Sequence, residues 1–205
     1  MSLQNRVDPW GNLIAVNSRG AWLGNRGILH NQHKEIVTPW KHKAWITCQL
    51  AFKDRRRQIF NAGHYSELFF LDEATAFSAG HRPCAECRRA RYLEFKEIWR
   101  KVNSKETLPV AQIDKQMHAE RAVPGGNKVT YTMKFESLPS GAFIERSGVA
   151  YIYWQGSLKK WSPEGYSETS FSPAPGDVIT VLTPFSIVQM YANNFEPQVH
   201  ESANN

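Results

Sequence analysis

Cysteine is scarce in this chain: three in 205 residues, at Cys48, Cys84 and Cys87. A small, odd number in a chain of this length excludes the disulfide framework of small secreted domains. Long apolar runs are missing too. No stretch approaches the roughly 20 residues a membrane-spanning helix needs, and the opening MSLQNRVDPWG has no hydrophobic signal segment. These absences give the expectation of a cytoplasmic protein with no membrane partner. Also absent are the phosphate-cradling G-x-x-x-x-G-K-S/T loop, the dinucleotide fingerprint G-x-G-x-x-G and the G-x-S-x-G elbow. Nucleotide-binding loops and α/β-hydrolase chemistry therefore find no support. There is no internal repeat and no low-complexity tract.

What the chain does have is positive charge, unevenly placed. The net charge is +6 and the isoelectric point about 9.3. Residues 1–103 carry 17 Lys and Arg against 9 Asp and Glu, while the remainder carries 8 against 10. The excess is concentrated in Arg55, Arg56, Arg57, Arg82, Arg88, Arg89 and Arg91. Guanidinium forks bond phosphate oxygens in pairs, so this asymmetry points to a nucleic-acid partner; a merely well-solvated basic surface is the plainer alternative.

The pattern of residues predicts an α+β fold. The Gly- and Asn-rich first forty residues read as irregular with a short extended segment. KAWITCQLAF (Lys43 to Phe52) reads as a strand, with a hairpin turn over Lys53 to Arg56 and a returning strand RRQIF. GHYSELFF is extended. Asp72 then caps a short helix that Gly80 ends. A second helix is expected from about Cys84 to Val102, with Tyr92, Phe95 and Trp99 on its buried face and Leu93 and Ile98 widening it. NSKETLP interrupts it and divides a basic, cysteine-bearing module, residues 1–103, from a region over 104–205; the alternative is that the two pack as one unit. That region has helical spacing in PVAQIDKQMHAERAV, then short strands with turns at Ser147-Gly148 and Gln155-Gly156. Thr183-Pro184 reads as a cap and first residue of a last short helix, and the tail VHESANN as frayed. The expected architecture is a small zinc-stabilised hairpin-plus-helix module followed by a mostly antiparallel β half. The second half's aromatics could stack bases, but alternating in strands they read better as core.

Two thiolates three positions apart at a helix start can reach one tetrahedral ion, and the helix dipole favours their charge. Cys48, on a strand, is the third candidate ligand, and His64 leads His81, His42 and His33 for the fourth. The same C-x2-C spacing serves thioredoxin-like redox chemistry, which the short helix and Gly80 argue against. Cys48 could instead simply face the core.

The stretch FFLDEATAFSAGHRPCAECRR resembles the zinc-binding module of Ada-type DNA methyl-phosphotriester repair proteins. The shared pattern falls on Phe69, Phe70, Glu73, Ala74, Ala79, Gly80, Arg82, Pro83, Cys84 and Cys87, with His81 in the aromatic place. It covers about a tenth of the chain. The resemblance implies zinc held by four sulfurs, one of which accepts a methyl group from a DNA phosphate. The family's upstream C-x3-C would fall near Lys53 to Arg57, where no cysteine stands, so Cys48 alone remains for that role. The whole chain also resembles a group of bacterial proteins that share W-I-x-C, A-G-H-R-P-C-x-E-C-R-R and W-S-P-x-G-Y … V-L-T-P, which implies no particular activity.

A last constellation is IDKQMHAER, where Asp114 and His118 stand four apart with Glu120 beyond. On one helical face these could run metal-assisted or acid–base chemistry on a phosphodiester, or merely support the helix as a surface pair. The leading expectation is a structural-zinc protein that contacts nucleic acid, DNA above all, through Arg55, Arg56, Arg57, Arg88, Arg89 and Arg91. The alternative is a metal-dependent hydrolase, nuclease or DNA-repair enzyme using Asp114, His118 and Glu120. Oligomeric state is not readable from the sequence.

Overall fold

The computed structural model describes residues 2–53 and 58–205. Arg55, Arg56 and Arg57, and most of the expected turn, lie outside the described residues. Of the expected returning strand, Gln58, Ile59 and Phe60 are described and run into a turn instead, with Phe60 at positive φ.

Short extended runs of β-branched and aromatic residues build a mixed sheet in the first half. Its strands are β1 (Arg6–Val7), β2 (Leu13–Ile14), β3 (Trp22–Asn25), β4 (Ile46–Cys48), β5 (Leu68–Phe70) and β6 (Arg82–Pro83). They lie in the order β2-β1-β5-β3-β4-β6, with β1 parallel to β5 and β4 parallel to β6. The expected long strand from Lys43 contracts to the three residues of β4. Between β5 and β6 runs α1 (Glu73–Ser78), whose N-cap Asp72 accepts from the Thr75 amide at 2.7 Å. Gly80, at φ +83, ends it as expected.

The second helix, α2 (Arg89–Trp99), starts five residues later than expected because Cys84 to Arg88 form a turn around the cysteines. Tyr92, Phe95 and Trp99 are buried as their spacing predicts, while Leu93 points out, half exposed. The chain then widens into a π turn over Arg100–Ser104, closed by Lys105 in the left-handed region. Helix α3 (Val110–Arg121) follows.

A six-stranded antiparallel sheet makes up most of what remains: β7 (Tyr131–Lys134), β8 (Phe143–Arg146), β9 (Val149–Trp154), β10 (Ser157–Ser162), β11 (Gly165–Ser167) and β12 (Val178–Val181). Its order is β11-β10-β9-β8-β12-β7. Ser147-Gly148 and Gln155-Gly156 all take positive φ, the conformation a two-residue hairpin needs, which makes the β8–β9 and β9–β10 connections tight. Alternation along β9 sends Ala150, Ile152 and Trp154 to one core and sets Tyr151 and Tyr153 against another. Tyr151, Tyr153, Trp154, Trp161 and Tyr166 are all packing groups.

Two of the three apolar clusters among the described residues cross the 103/104 division, while the third, with Val7, Leu29, Leu68 and Phe70, stays within the first half. Phe77, Phe95 and Trp99 pack with Ile113, Met117, Ile144 and Val181; Leu71 and Ala74 pack with Phe143, Ile152 and Tyr166. In the last helix, α4 (Phe185–Tyr191), Pro184 takes the cap position. Thr183 instead uses its hydroxyl to accept from the Phe143 amide at 2.8 Å. The tail is not frayed. The His200 amide donates to Asp72, Trp154 Nε1 donates to Asn204, and Ala203 is buried.

Candidate metal centre

Three elements bring the cysteines together. Cys48 ends β4, Cys84 follows β6, and Cys87 precedes α2. The parallel pairing of Thr47 with Pro83, and the Cys84 amide bonded to the Thr47 carbonyl at 2.9 Å, hold the two chains side by side. All three sulfurs lie within 4.8 Å of one another. Backbone amides aim at two of them: Gln49 N–H at Cys87 Sγ and Glu86 N–H at Cys84 Sγ, both at 3.4 Å. Such donors favour the thiolate form.

The three thiols stand close enough for the ionisation of each to bear on the others. The hydrogen bond from Cys48 draws the Cys84 thiol down to about 5, against the opposing effect of burial. The same interaction, with burial and the charges of Cys84 and Cys87, pushes Cys48 far up, and burial raises Cys87. A cation among the sulfurs would remove that repulsion, so the donor set is chemically suited to a metal ion. Cys84 is buried, and Cys48 and Cys87 are half-buried, so the cluster opens toward solvent on one side.

The other expected ligands stand elsewhere. Among the described residues the group contains no histidine. His64 is exposed in a turn, its amide bonded to the Asn61 carbonyl. His33 and His42 are also exposed. His81 is completely buried, and its Nε2 accepts from Arg26 Nε at 3.1 Å.

Asp114, His118 and Glu120 share α3 but have separate partners. Asp114 receives a two-pronged hydrogen bond from Arg82, at 2.7 and 2.9 Å, with both side chains buried. Glu120 accepts from the Ser186 amide and hydroxyl at 2.8 and 2.6 Å. His118 packs edge-on against Trp40 and Trp45 and lies 3.2 Å from Arg121.

The arginines at the start of the second helix, Arg88 just before it and Arg91 within it, turn largely inward. Arg88 is buried, bonded to Glu73 and stacked on Trp22. Arg91 adds two bonds to Glu73 and lies over Phe195. Arg89 alone of the three is exposed.

Residues the sequence did not single out surround the first part of the A-G-H-R-P-C motif. Arg26 and Arg121 both lie 4.0 Å from the ring of Trp45, which itself stands three positions before Cys48. Arg26 donates to the Gly11 carbonyl at 2.8 Å, and Arg121 to those of Gly80 and Lys43 at 2.5 and 2.6 Å. Their burial was invisible in the sequence, where an arginine reads as surface. Comparison of the chain with protein-family patterns, curated proteins and solved structures finds no match in any of the three.

Proposed function

We propose that this is a zinc-binding protein that contacts nucleic acid. The convergence of Cys48, Cys84 and Cys87 carries the proposal. Zinc suits the site because three thiolates form a soft donor set and C-x2-C entering a helix matches tetrahedral sites. The ion would tie β4, the end of β6 and the start of α2 into one unit, a structural task. Zinc binding then contributes directly to folding.

Contact with nucleic acid draws its support from the charge excess of residues 1–103. Among the described residues it falls to exposed cations such as Lys41, Lys43, Lys53 and Arg89, because Arg88 and Arg91 are occupied by Glu73. Such a surface recognises phosphate, so binding would depend steeply on salt and weakly on sequence.

Elemental analysis of the purified protein tests the first half. One zinc per chain, lost in both Cys84→Ser and Cys48→Ser, is the expected result; folded, metal-free wild-type protein with three titratable thiols would overturn it. Fluorescence anisotropy with labelled single- and double-stranded oligonucleotides across a salt series tests the second half. Affinity that falls linearly with the logarithm of salt supports it, and no binding at low salt removes nucleic acid while leaving zinc in place.

A further inference from the structure

Beneath the first half of the A-G-H-R-P-C motif lies a cavity of about 400 Å³, the size of many small-ligand sites. Trp10, Trp40 and Trp45 line it, together with Arg26, Arg121 and polar groups including Thr38 and Asn127. No carboxylate is among the lining residues. The Trp40 and Trp45 rings stand 5.8 Å apart, inclined by 50°.

The cavity floor carries more positive charge than its surroundings balance. Arg26 and Arg121 are 1% and 2% exposed. Burial draws Arg26 down to about 9 against the opposing charge of Asp8, and burial with the charge of Arg26 depresses Arg121. Lys128 is drawn down to about 7 by burial and by both arginines. Asp8 is itself engaged by the Asn12 amide and side chain. Asp114, the next carboxylate to influence Arg121, is held by both prongs of Arg82.

Unused donors accompany that charge. Arg26 Nη2 and Arg121 Nε are buried and have no hydrogen-bond partner among the described residues. A side chain placed on Gly11, which lines the cavity, would meet Arg26 Nη2 at 3.5 Å. Buried, unpaired guanidinium nitrogens cost free energy unless something completes them. An anion does so, and a planar ring attached to it finds tryptophan faces alongside.

We propose that this cavity binds a nucleotide, its phosphate drawn to Arg26 and Arg121 and its base set against Trp10 and Trp40, since the two arginines already cover the Trp45 ring. A free nucleoside monophosphate and the 5′-phosphorylated end of a strand share that chemistry. The strand source rests on the nucleic-acid contact proposed above; the free nucleotide does not. Trp45 also connects the cavity with the cysteines, since it precedes Cys48 by three residues, about 10 Å of extended chain.

Calorimetric titration of the zinc-loaded protein with AMP, with adenosine, and with 5′-phosphorylated oligothymidylate tests the proposal. Two rim variants leave the buried arginines untouched: Val37→Glu, at a side chain 62% exposed, and Trp40→Ala. AMP is expected to bind at least about tenfold tighter than adenosine, and each variant to weaken it by about tenfold or more, with unchanged circular dichroism. AMP binding that neither variant alters, or that adenosine equals, overturns the assignment. Failure of both AMP and oligothymidylate to bind at millimolar concentration overturns it as well. Oligothymidylate binding that Val37→Glu leaves intact, with no AMP binding, overturns the cavity while the nucleic-acid contact stands. AMP binding sensitive to both variants, with no strand binding, supports the cavity as a free-nucleotide site and removes the nucleic-acid contact.

Discussion

Gly80 and Arg121 are fitted to each other. The Gly80 carbonyl accepts from Arg121 Nη1 at 2.5 Å, and the space where a side chain would stand is filled by the arginine's own stem. A Cβ on Gly80 would lie 2.3 Å from Arg121 Cδ and 2.8 Å from its Cβ, at a backbone φ of +83. Gly80→Ala should therefore lose roughly 2 kcal/mol or more, because strain and collision add. Gly148→Ala is the control: φ is +75 but nothing lies within 4 Å, so about 1 kcal/mol is expected from backbone conformation alone. Urea denaturation of the two variants measures the difference; equal losses would mean that Arg121 moves aside freely.

Arg82 and Asp114 join β6 to α3 out of contact with water, with side chains 7% and 6% exposed. Removing one partner strands the other's charge. Asp114→Asn is expected to lose about 3–5 kcal/mol, and the paired replacement Arg82→Met with Asp114→Leu to recover much of it. Asp114→Asn with wild-type stability would show that the carboxylate has a task other than holding Arg82.

Much of the fold was legible because its signals are local. Asp72 and Gly80 bracket a helix by capping chemistry, and the 147–148 and 155–156 pairs announce hairpins. Tyr92, Phe95 and Trp99 mark a buried face by spacing alone. Cys84 and Cys87 were legible from their separation, and Cys48 from being the one cysteine left. Partner choice was not legible. Nothing adjacent to Arg88 or Arg91 says that Glu73, 15 and 18 positions earlier, will claim them. The cavity over Arg26 and Arg121 draws on residues from Gln4 to Asn127, which only tertiary packing unites. Tail residues with polar side chains looked free, yet they end on Asp72, Trp154 and Lys159.

Glu73 separates two kinds of arginine on the second helix. Burial would raise its carboxyl, but the hydrogen bonds and charges of Arg91 and Arg88 hold it below the ordinary range. Arg88→Ala removes one of those supports and leaves a cavity against Trp22, so a loss of about 2 kcal/mol or more is expected. Arg89→Ala, on the exposed side, should change stability by about 0.5 kcal/mol at most. If the nucleic-acid contact uses this face, Arg89→Ala reduces the salt slope of binding by about one unit. Thermal melts and a salt titration of both variants provide the check, and a destabilised Arg89→Ala would contradict the assignment of partners.

His118, packed edge-on against Trp40 and Trp45 of the cavity wall, carries a pH signature. Its ring is half-buried, and burial together with the charges of Arg121 and Lys43 lowers it to about 4 from the usual 6.5. Between those values the unfolded chain takes up a proton that the folded protein refuses, so this residue makes stability fall as pH drops from 6.5 toward 4. Buried His81, lowered by its own burial and by Arg26, acts in the same direction. The carboxyls of Asp8 and Asp72 are raised by burial and oppose both in the acid range. Only a difference between proteins isolates His118: wild type should lose more stability than His118→Gln on going from pH 7 to pH 5. The difference is small, since solvent screens a half-open ring. The imidazole proton shift reads the group directly, with an expected midpoint near 4. A midpoint near 6.5 would mean that neither burial nor the charges of Arg121 and Lys43 act on the ring as the packing around it requires.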